Sequence, residues 1–324
     1  MQMKEKKKIV CIGILCLDIL ISRVDEDIFK RQTTDVDFIK CQAGGDALNE
    51  SIIVSVLGHD SILMGAVGDD IWGEYIINQV KARGVDTSAV YKIPSLPTTV
   101  STVLVKQNSE RLFLVYKKNN AAFAEECLKY DVIASADAVS VGSIYYNEAL
   151  DSRMNYILSL AKKNKALTFG DVSYRQGYTI EKAKDYLHLF DFFVPNFEEA
   201  KGLTGKSDLE SIAGKILDYG VKNVIIKMGD KGCYIQNATD KIVVPAFNND
   251  NVVDTTGAGD SFLAGFIAGT LEGLDLESAA VFASAAASIN VQGLGAAFLN
   301  SRQDVEDVFA SRRRMKGDQN AADV

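Results

Sequence analysis

The chain has 324 residues, of which 47% are hydrophobic and 24% charged, so it is long and apolar enough to bury the core of a large globular domain. Its net charge of −8 argues against nucleic acid or an anionic membrane surface as the main partner. No apolar run reaches the roughly 18 residues that a membrane-spanning helix needs, and the five scattered cysteines fit a reduced, cytoplasmic protein.

The first predicted element is a strand over residues 8–16. This run is apolar on successive positions, which is typical of a strand covered on both faces in a parallel sheet. Asp18 follows it. Because open α/β sheets bind ligands at the carboxyl ends of their strands, Asp18 is either a substrate-binding carboxylate or a surface turn residue.

Shorter β-like segments interrupt the pattern within residues 19–43 and 95–118. They do not fit a strand–helix–strand crossover, and residues 107–110 separate two of them as in a hairpin. We therefore predict a small sheet that stands off the main one. Between the two sets, Gly44 and Gly45 precede a helix predicted over residues 50–57. The two glycines would let backbone pass close to a ligand, and Asn49 offers a donor and an acceptor to a hydroxyl group.

From about residue 121 the pattern alternates regularly between strands and helices. Such alternation predicts right-handed crossovers and a parallel sheet with helices on both faces. The predicted strands are residues 138–144, 167–172, 192–196 and 223–229, and the predicted helices are residues 148–163, 180–190 and 208–219.

Polar residues follow several of these strands. Arg175 could bind a substrate carboxylate or a phosphate, or it could pair with a surface acid. Asn196 and Glu199 have the spacing of a capping box, and the same two side chains could hold a hydrated Mg²⁺ at the mouth of the loop. Lys227 precedes a glycine-containing turn that either approaches a nucleotide or simply closes a hairpin.

The stretch DTTGAGDSF, residues 254–262, joins a strand-like run to an apolar helix. Gly257, Ala258 and Gly259 permit close backbone approach, and the unpaired N–H groups of the first helical turn favour a phosphate or a developing oxyanion. Asp260 lies in that turn. An anion cradle beside a fixed carboxylate is what phosphoryl transfer to a hydroxyl requires, because the amides stabilise the phosphoryl charge and the carboxylate takes the proton.

Three stretches occur in the order typical of one family: GGDALN at residues 44–49, GAVGDDIWG at 65–73 and DTTGAGDSF at 254–262. Over roughly residues 8–310 the chain resembles the ribokinase-like (PfkB) carbohydrate kinases. The resemblance implies an α/β fold, a parallel-sheet sandwich with a small β-sheet lid, and a homodimer through that lid. It also implies ATP-dependent phosphorylation of a hydroxyl on a small sugar or sugar acid, with ATP and Mg²⁺ and with K⁺ as a further cofactor.

The resemblance assigns roles to individual residues. Asp260 would be the general base, with Gly257, Ala258 and Gly259 forming the anion cradle. The substrate would contact Asp18, Gly44, Gly45, Asn49 and Arg175, the last in a DVSYR segment similar to the family's DxNxR but with Ser173 in place of Asn. The nucleotide would contact Lys227, Gly229, Gly232, Thr256 and Asn290. The metal would be held near Asn196, Glu199 and Asp254.

We expect residues 1–314 to form one kinase domain and residues 315–324 to be a disordered polar tail. Three other functions stay open at this point. A nucleoside kinase of the same fold would need an aromatic-rich lid, and a non-catalytic binding module would need no catalytic carboxylate. An NAD(P) oxidoreductase would need GxGxxG after the first strand, and this sequence lacks the second and third glycines there.

Overall fold

The computed structural model describes residues 5–106, 111–116, 123, 125–173, 177–247, 249 and 251–322. Arg175, one of the predicted substrate residues, lies outside this part of the chain. The strands of the described chain are β1 (Lys8–Ile12), β2 (Cys16–Val24), β3 (Phe38–Gly44), β4 (Asp60–Gly68), β5 (Asp86–Ile93), β6 (Val100–Lys106), β7 (Arg111–Tyr116), β8 (Ala138–Ile144), β9 (Leu167–Val172), β10 (Phe192–Phe193), β11 (Asn223–Lys227), β12 (Cys233–Gln236) and β13 (Lys241–Val244).

Among these residues, nine strands form the main sheet, in the order β13-β12-β11-β10-β9-β8-β1-β4-β5. From β5 to β11 every neighbouring pair is parallel. The prediction of a parallel sheet is therefore confirmed for its larger part. At one edge β12 and β13 run antiparallel to their neighbours, because the turn after Lys227 closes a hairpin, one of the two alternatives left open by the sequence.

Helices cover both faces of the main sheet, as predicted. They are α1 (Asp46–Val56), α2 (Ile71–Lys81), α3 (Tyr130–Ala134), α4 (Glu148–Asp151), α5 (Met154–Lys163), α6 (Phe197–Thr204), α7 (Leu209–Leu217), α8 (Ala258–Leu271), α9 (Leu276–Asn290) and α10 (Arg302–Ala322). Buried side chains of α1, α2 and α8 to α10 pack in one hydrophobic layer, and those of α3 to α7 pack in the other. No helix of the described residues is both long enough and apolar enough to cross a bilayer.

The four lid strands form a separate sheet with the order β3-β2-β6-β7. This sheet changes the placement of Asp18. The strand predicted over residues 8–16 ends at Ile12, and the chain then leaves the main sheet, so that Cys16 already pairs with Gly44 in the lid. Asp18 consequently lies within lid strand β2 rather than after the first strand of the main sheet.

Two predicted helices take other forms. The helix predicted over residues 148–163 is divided into α4 and α5. The helix predicted over residues 180–190 is replaced by two 3₁₀ segments, Ile180–Ala183 and Leu187–Leu189. Ile180, Ala183 and Tyr186 are buried at intervals of three residues, and that interval suits the three residues per turn of a 3₁₀-helix. At the other end of the chain, α10 continues through most of the segment that we expected to be a polar tail.

Candidate active site

The N-terminus of α8 is shaped by a glycine. Gly257 has φ of 71°, in the left-handed region, and a Cβ at this position would lie 1.9 Å from the carbonyl oxygen of Ala296. No other residue type fits that space. The turn delivers the chain into α8 at Ala258 and leaves Asp260 in the first helical turn, where the helix dipole favours negative charge.

Asp260 is joined to the helix that follows the glycine pair. The side-chain amide of Asn49 on α1 donates a hydrogen bond to Oδ2 of Asp260 at 2.6 Å, across 211 positions of the sequence. Asn49 is 6% exposed, and its Oδ1 has no hydrogen-bond partner among the described residues. That buried acceptor is therefore available to a ligand hydroxyl at the place where a substrate would meet Asp260.

The pKa of Asp260 is far from the ordinary value of a carboxyl group. Loss of surrounding water and the negative charges of Asp171 and Asp46 raise this pKa to about 7, and they outweigh the opposing effects of Asn49 and Lys227. A carboxylate with a pKa near neutrality holds a proton more strongly than an ordinary one. Asp260 is thus suited to accept a proton from a hydroxyl group at physiological pH.

Lys227 supplies a positive charge beside this carboxylate group. Its Nζ lies 2.8 Å from Oδ1 of Asp171, and its side chain is 12% exposed. Burial alone would lower the pKa of Lys227, but the charges of Asp171 and Glu199 raise this pKa by more than burial lowers it. The side chain therefore stays protonated. A Cβ at Gly259 would lie 3.3 Å from the same Nζ, which places the ammonium against the first turn of α8.

The predicted substrate residues on the lid side come together around the glycine pair. A Cβ at Gly44 would lie 2.1 Å from Oδ2 of Asp18, so the carboxylate of Asp18 packs directly on the glycine backbone. Gly45 has φ of 113°, and a Cβ there would approach the carbonyl oxygen of Ile14 to 2.0 Å. Gly45 needs glycine, whereas a side chain at Gly44 would displace the Asp18 carboxylate, and the pair brings Asp18 of the lid to the start of α1.

A cavity of about 470 Å³ opens beside the N-terminus of α8, and we call it the α8 cavity. Five of the predicted residues line it: Lys227, Gly229, Gly232, Ala258 and Gly259. Sequence reasoning missed most of the remaining wall, which includes Phe247, Val252, Phe262, Ser284, Ala287, Ser288 and Val291. A signal existed on α9, because Ser284, Ala287, Ser288 and Val291 recur at helical spacing and are small enough to leave room for a planar ring.

Three predicted residues support the loop before α8 and do not line this cavity. Oδ1 of Asp254 accepts hydrogen bonds from the backbone N–H of Thr256 at 2.9 Å and from its hydroxyl at 2.6 Å. Oδ2 of Asp254 accepts from the N–H of Gly295 at 3.1 Å. The amide of Asn290 donates to the carbonyl of Thr256 at 3.3 Å and to that of Ala296 at 3.1 Å. These bonds fix the backbone around Gly257.

Asn196 and Glu199 form a capping box at the start of α6. Oδ1 of Asn196 accepts from the N–H of Glu199 at 2.9 Å, and Oε2 of Glu199 accepts from the N–H of Asn196 at 2.8 Å. Burial and the charge of Asp171 raise the pKa of Glu199 to about 7, against the effect of Lys227. The described residues contain no group of three or more His, Cys, Asp or Glu that could hold a metal. Glu199 and Asn196 fit a Mg²⁺ that is held chiefly by nucleotide phosphates and water, with one or two protein carboxylates.

Two carboxyl groups that sequence reasoning missed complete the surroundings of Asp260. Asp46 accepts a hydrogen bond from the Ser143 hydroxyl at 2.5 Å, and Glu50 is fully buried beside the Ser140 hydroxyl at 2.6 Å. Burial raises the pKa of both groups. Glu50 follows Asn49 directly and shares a face of α1 with Ala47, Ile53 and Val54. A charged residue on an apolar helix face is the signal that could have identified it.

Comparison with known proteins assigns the family. A family model described as pfkB family carbohydrate kinase matches residues 6–303. The chain belongs to this family. Among curated relatives of this carbohydrate kinase, the 2-dehydro-3-deoxygluconokinase of Bacillus subtilis is 30% identical over 80% of this chain and 83% of its own length. The deoxyribokinase of Salmonella typhi is 28% identical over 89% of this chain and 93% of its own length.

A solved structure gives the same result for the fold of this carbohydrate kinase. The ribokinase of Thermotoga maritima superposes with a TM-score of 0.81 at 26% identity, covering 94% of this chain and 99% of its own. The expected ribokinase-like α/β fold, with a large, mostly parallel sheet and a smaller separate sheet, is therefore confirmed.

Proposed function

We propose that this protein transfers the γ-phosphoryl group of ATP to a hydroxyl group of a small sugar or sugar acid, with Asp260 as the general base. One observation carries the proposal. Asp260 follows the cavity residues Ala258 and Gly259 in the first turn of α8, and the substrate-side residue Asn49 donates a hydrogen bond to it at 2.6 Å. The names of the relatives, a deoxyribokinase and a 2-dehydro-3-deoxygluconokinase, support a sugar or a sugar acid as the acceptor.

The other residues of the site then have definite tasks. Asp260 takes the proton of the attacking hydroxyl, and the N–H groups of Gly257 and Gly259 face the charge on the phosphoryl group. The N–H of Ala258 donates to the carbonyl of Thr255 at 3.2 Å and supports the turn. The ammonium of Lys227, adjacent to Gly259, neutralises a phosphate oxygen. When bound, Mg²⁺ draws charge from the phosphates.

The residues predicted to hold the metal, Asn196, Glu199 and Asp254, divide into two groups. Glu199 interacts electrostatically with Lys227 and Asp171, and its charge raises the pKa of Lys227. This proximity supports the placement of Glu199 and its capping partner Asn196 near the phosphates. Both carboxylate oxygens of Asp254 already accept hydrogen bonds, one from Thr256 of the same loop and one from Gly295 after α9. We therefore propose that Asp254, like Thr256 and Asn290, positions the loop that holds the anion cradle. Dependence on K⁺ and a cytoplasmic location remain predictions, the first testable by exchanging KCl for NaCl in the assay.

On the substrate side, we propose that Asp18 and Asn49 bind sugar hydroxyls above the backbone of Gly44 and Gly45. Arg175 would decide between sugar classes. A guanidinium near the sugar site binds a carboxylate with two parallel hydrogen bonds, and a neutral sugar offers no such partner. Arg175→Lys should thus reduce kcat/KM for a sugar acid by about tenfold more than for a neutral sugar, because it keeps the charge and loses the fork. Equal losses for both sugar classes would contradict this role.

We also propose that the protein is a homodimer through the lid. Five consecutive apolar residues of edge strand β7 are exposed: Leu112, Phe113, Leu114, Val115 and Tyr116. An edge strand also carries unpaired backbone groups, and a second copy would cover both features. Sedimentation equilibrium should give the mass of two chains, and Phe113→Asp should give the mass of one. A monomeric parent protein would contradict the proposal.

The experiment that tests the proposed reaction is a panel of acceptors assayed with ATP·Mg²⁺ by release of ADP. The panel should contain neutral sugars and sugar acids of several carbon-chain lengths, together with nucleosides. We expect turnover of at least one sugar or sugar acid. Turnover of nucleosides alone would instead identify a nucleoside kinase, and no turnover of any acceptor by a protein that binds ATP would identify a binding module.

A further inference from the structure

A second cavity lies on the opposite face of the main sheet from α1 and α8. Its volume is about 550 Å³, and it lies between the turn after β8, helices α4 and α5, and the 3₁₀ segments that precede β10. We call it the tyrosine cavity. Two of its residues, Tyr145 and Tyr186, belong to the hydrophobic layer of α3 to α7, whereas the side chains around Asp260 belong to the other face. It is therefore separate from the site proposed for phosphoryl transfer.

Tyr145 is the first indication that this cavity binds a ligand. The residue is 1% exposed and lines the cavity, and its hydroxyl has no hydrogen-bond partner among the described residues. A buried hydroxyl without a partner is unfavourable, and native proteins rarely leave one. Tyr145 also has φ of 71°, an uncommon conformation for a large side chain that is often found at functional sites. A polar ligand atom in the cavity would satisfy the hydroxyl.

The second indication is a cation that already lies on an aromatic ring in this cavity. The ammonium of Lys182 lies 3.7 Å from the centre of the Tyr178 ring. The Tyr178 ring meets that of Tyr145 edge to face, with centroids 5.9 Å apart. Aromatic faces attract cations through the negative potential of the ring, and aromatic walls around a carboxylate are a common way to recognise ammonium groups. The cavity wall thus provides the surface that an ammonium ligand needs.

The third indication is the balance of charge. Three carboxylate residues line the cavity, namely Glu148, Asp151 and Asp185, against the single ammonium of Lys182. Oδ1 of Asp151 accepts a hydrogen bond from the backbone N–H of Tyr145 at 3.3 Å, which fixes this half-buried carboxylate next to the orphan hydroxyl. A ligand with positive charge would reduce the excess of negative charge, and a ligand with negative charge would increase it.

We propose that the tyrosine cavity binds a small organic cation, an aliphatic ammonium compound, with its ammonium group paired to Asp151 and its carbon chain against the tyrosine rings. This proposal does not depend on the proposed kinase reaction. It differs from a site for a neutral polyol, because the pairing requires a charge on the ligand.

The proposal predicts a coupling between binding and protons. Burial, with a smaller contribution from Glu148, raises the pKa of Asp151 to about 7. The titratable groups that line the cavity around this carboxyl are Tyr145, Glu148, Tyr178, Lys182, Asp185 and Tyr186. Because a bound ammonium favours the ionised carboxylate, binding at pH 7 should release protons, and affinity should increase between pH 6 and pH 8.

The test is isothermal titration of the full-length protein at pH 8 with 1,4-diaminobutane, and with butane-1,4-diol as the neutral analogue at equal ionic strength. We expect saturable binding of the diamine and none of the diol. Titrations at pH 7 in two buffers of different ionisation enthalpy should show proton release. Equal binding of the diol, or no saturable binding of the diamine, would overturn the proposal.

Variants with opposite expected signs make the test specific. Asp151→Asn should weaken diamine binding by at least about tenfold, since it removes a charge-assisted bond. Lys182→Ala should tighten binding, because it removes the competing cation from the exposed face of Tyr178. Glu126→Gln changes the net charge equally at an exposed position outside the cavity, and it should leave affinity unchanged. If Asp151→Asn lowers the unfolding temperature strongly, Lys182→Ala and Tyr145→Phe decide: unchanged affinity in both would overturn the proposal.

Discussion

The pH dependence of the reaction should report the carboxylates around Asp260. We predict that Asp46→Asn moves the acid limb of the kcat/KM profile to lower pH. The negative charge of Asp46 is one of the causes that raise the pKa of Asp260, after the loss of surrounding water and the charge of Asp171. An asparagine keeps the size of the side chain and removes that charge. The base would then stay ionised at lower pH.

The magnitude follows from the pKa. An ordinary Asp has a pKa of 3.8, and that of Asp260 is raised to about 7. At pH 6 only about one tenth of Asp260 would then be ionised in the parent protein, so kcat/KM should fall about tenfold per pH unit below pH 7. With an ordinary pKa, the profile would stay flat down to about pH 5. Activity should fall toward low pH, not toward high pH, because the reaction needs the deprotonated carboxylate of Asp260.

The assay is initial velocity between pH 5 and pH 9 at subsaturating sugar, since kcat/KM reports the groups of the free enzyme. Titration of ATP contributes equally to every variant, so the shift between variants is the measured quantity. Asp304→Asn, an exposed position at the start of α10, is the matched control and should not move the profile. A flat parent profile, or an acid limb that Asp46→Asn leaves in place, would refute the reasoning.

Three further predictions concern other parts of the molecule. Asp18→Ala and Asn49→Ala should each raise KM for the sugar by about tenfold and leave ATP affinity unchanged. The reason is that each variant loses about 1–3 kcal/mol of hydrogen bonding at the sugar end of the site. An equal loss of ATP affinity would contradict that placement. Arg312→Ala should raise KM for ATP by about threefold at constant kcat, since Arg312 donates to the carbonyl of Pro245 at 2.6 Å and lies 4.5 Å from the ring of the cavity residue Phe247. Asp191→Asn should lower the free energy of unfolding by about 2 kcal/mol in urea titrations. The reason is that buried Asp191 forms ion pairs with Lys162 and Lys222, which are themselves partly exposed. An unchanged urea midpoint would contradict this.

The sequence predicted some elements well because their patterns have one physical explanation. Strands β8 and β9 have the predicted bounds, since both are almost entirely buried and polar residues follow them in the sequence. Helix α7 begins next to the start of the helix predicted over residues 208–219, because Asp208 caps it by accepting from the N–H of Ser211. The prediction failed where tertiary structure decides. Nothing local in residues 8–16 shows that the chain changes sheets after Ile12, because the apolar pattern is the same in both sheets.

For the candidate site, the motif at residues 254–262 predicted a turn that leads into a helix, and α8 begins within this motif at Ala258, beside the α8 cavity. The carboxylates that raise the pKa of Asp260 could not be predicted in the same way. Asp46 and Asp171 lie far from Asp260 in the sequence, and only the crossing of α1, β9 and α8 brings them close enough to interact. Distance in space, which sets electrostatic interaction, has no signature in a single sequence. The same limit applies to Asp254, whose Oδ2 accepts a hydrogen bond from the N–H of Gly295, 41 residues further along the chain.

The central claim is that Asp260 is the base for phosphoryl transfer, and Asp260→Asn tests it most directly. The amide retains the shape and can still accept the hydrogen bond from Asn49, but it cannot take a proton. Binding of ATP, measured by calorimetry, should stay within about threefold of the parent value. Turnover of the best sugar acceptor should fall by about 10²–10⁴ in kcat at pH 8, above the acid limb, and the limb near pH 7 should disappear. Turnover at the parent rate with that limb intact would show that another group removes the proton.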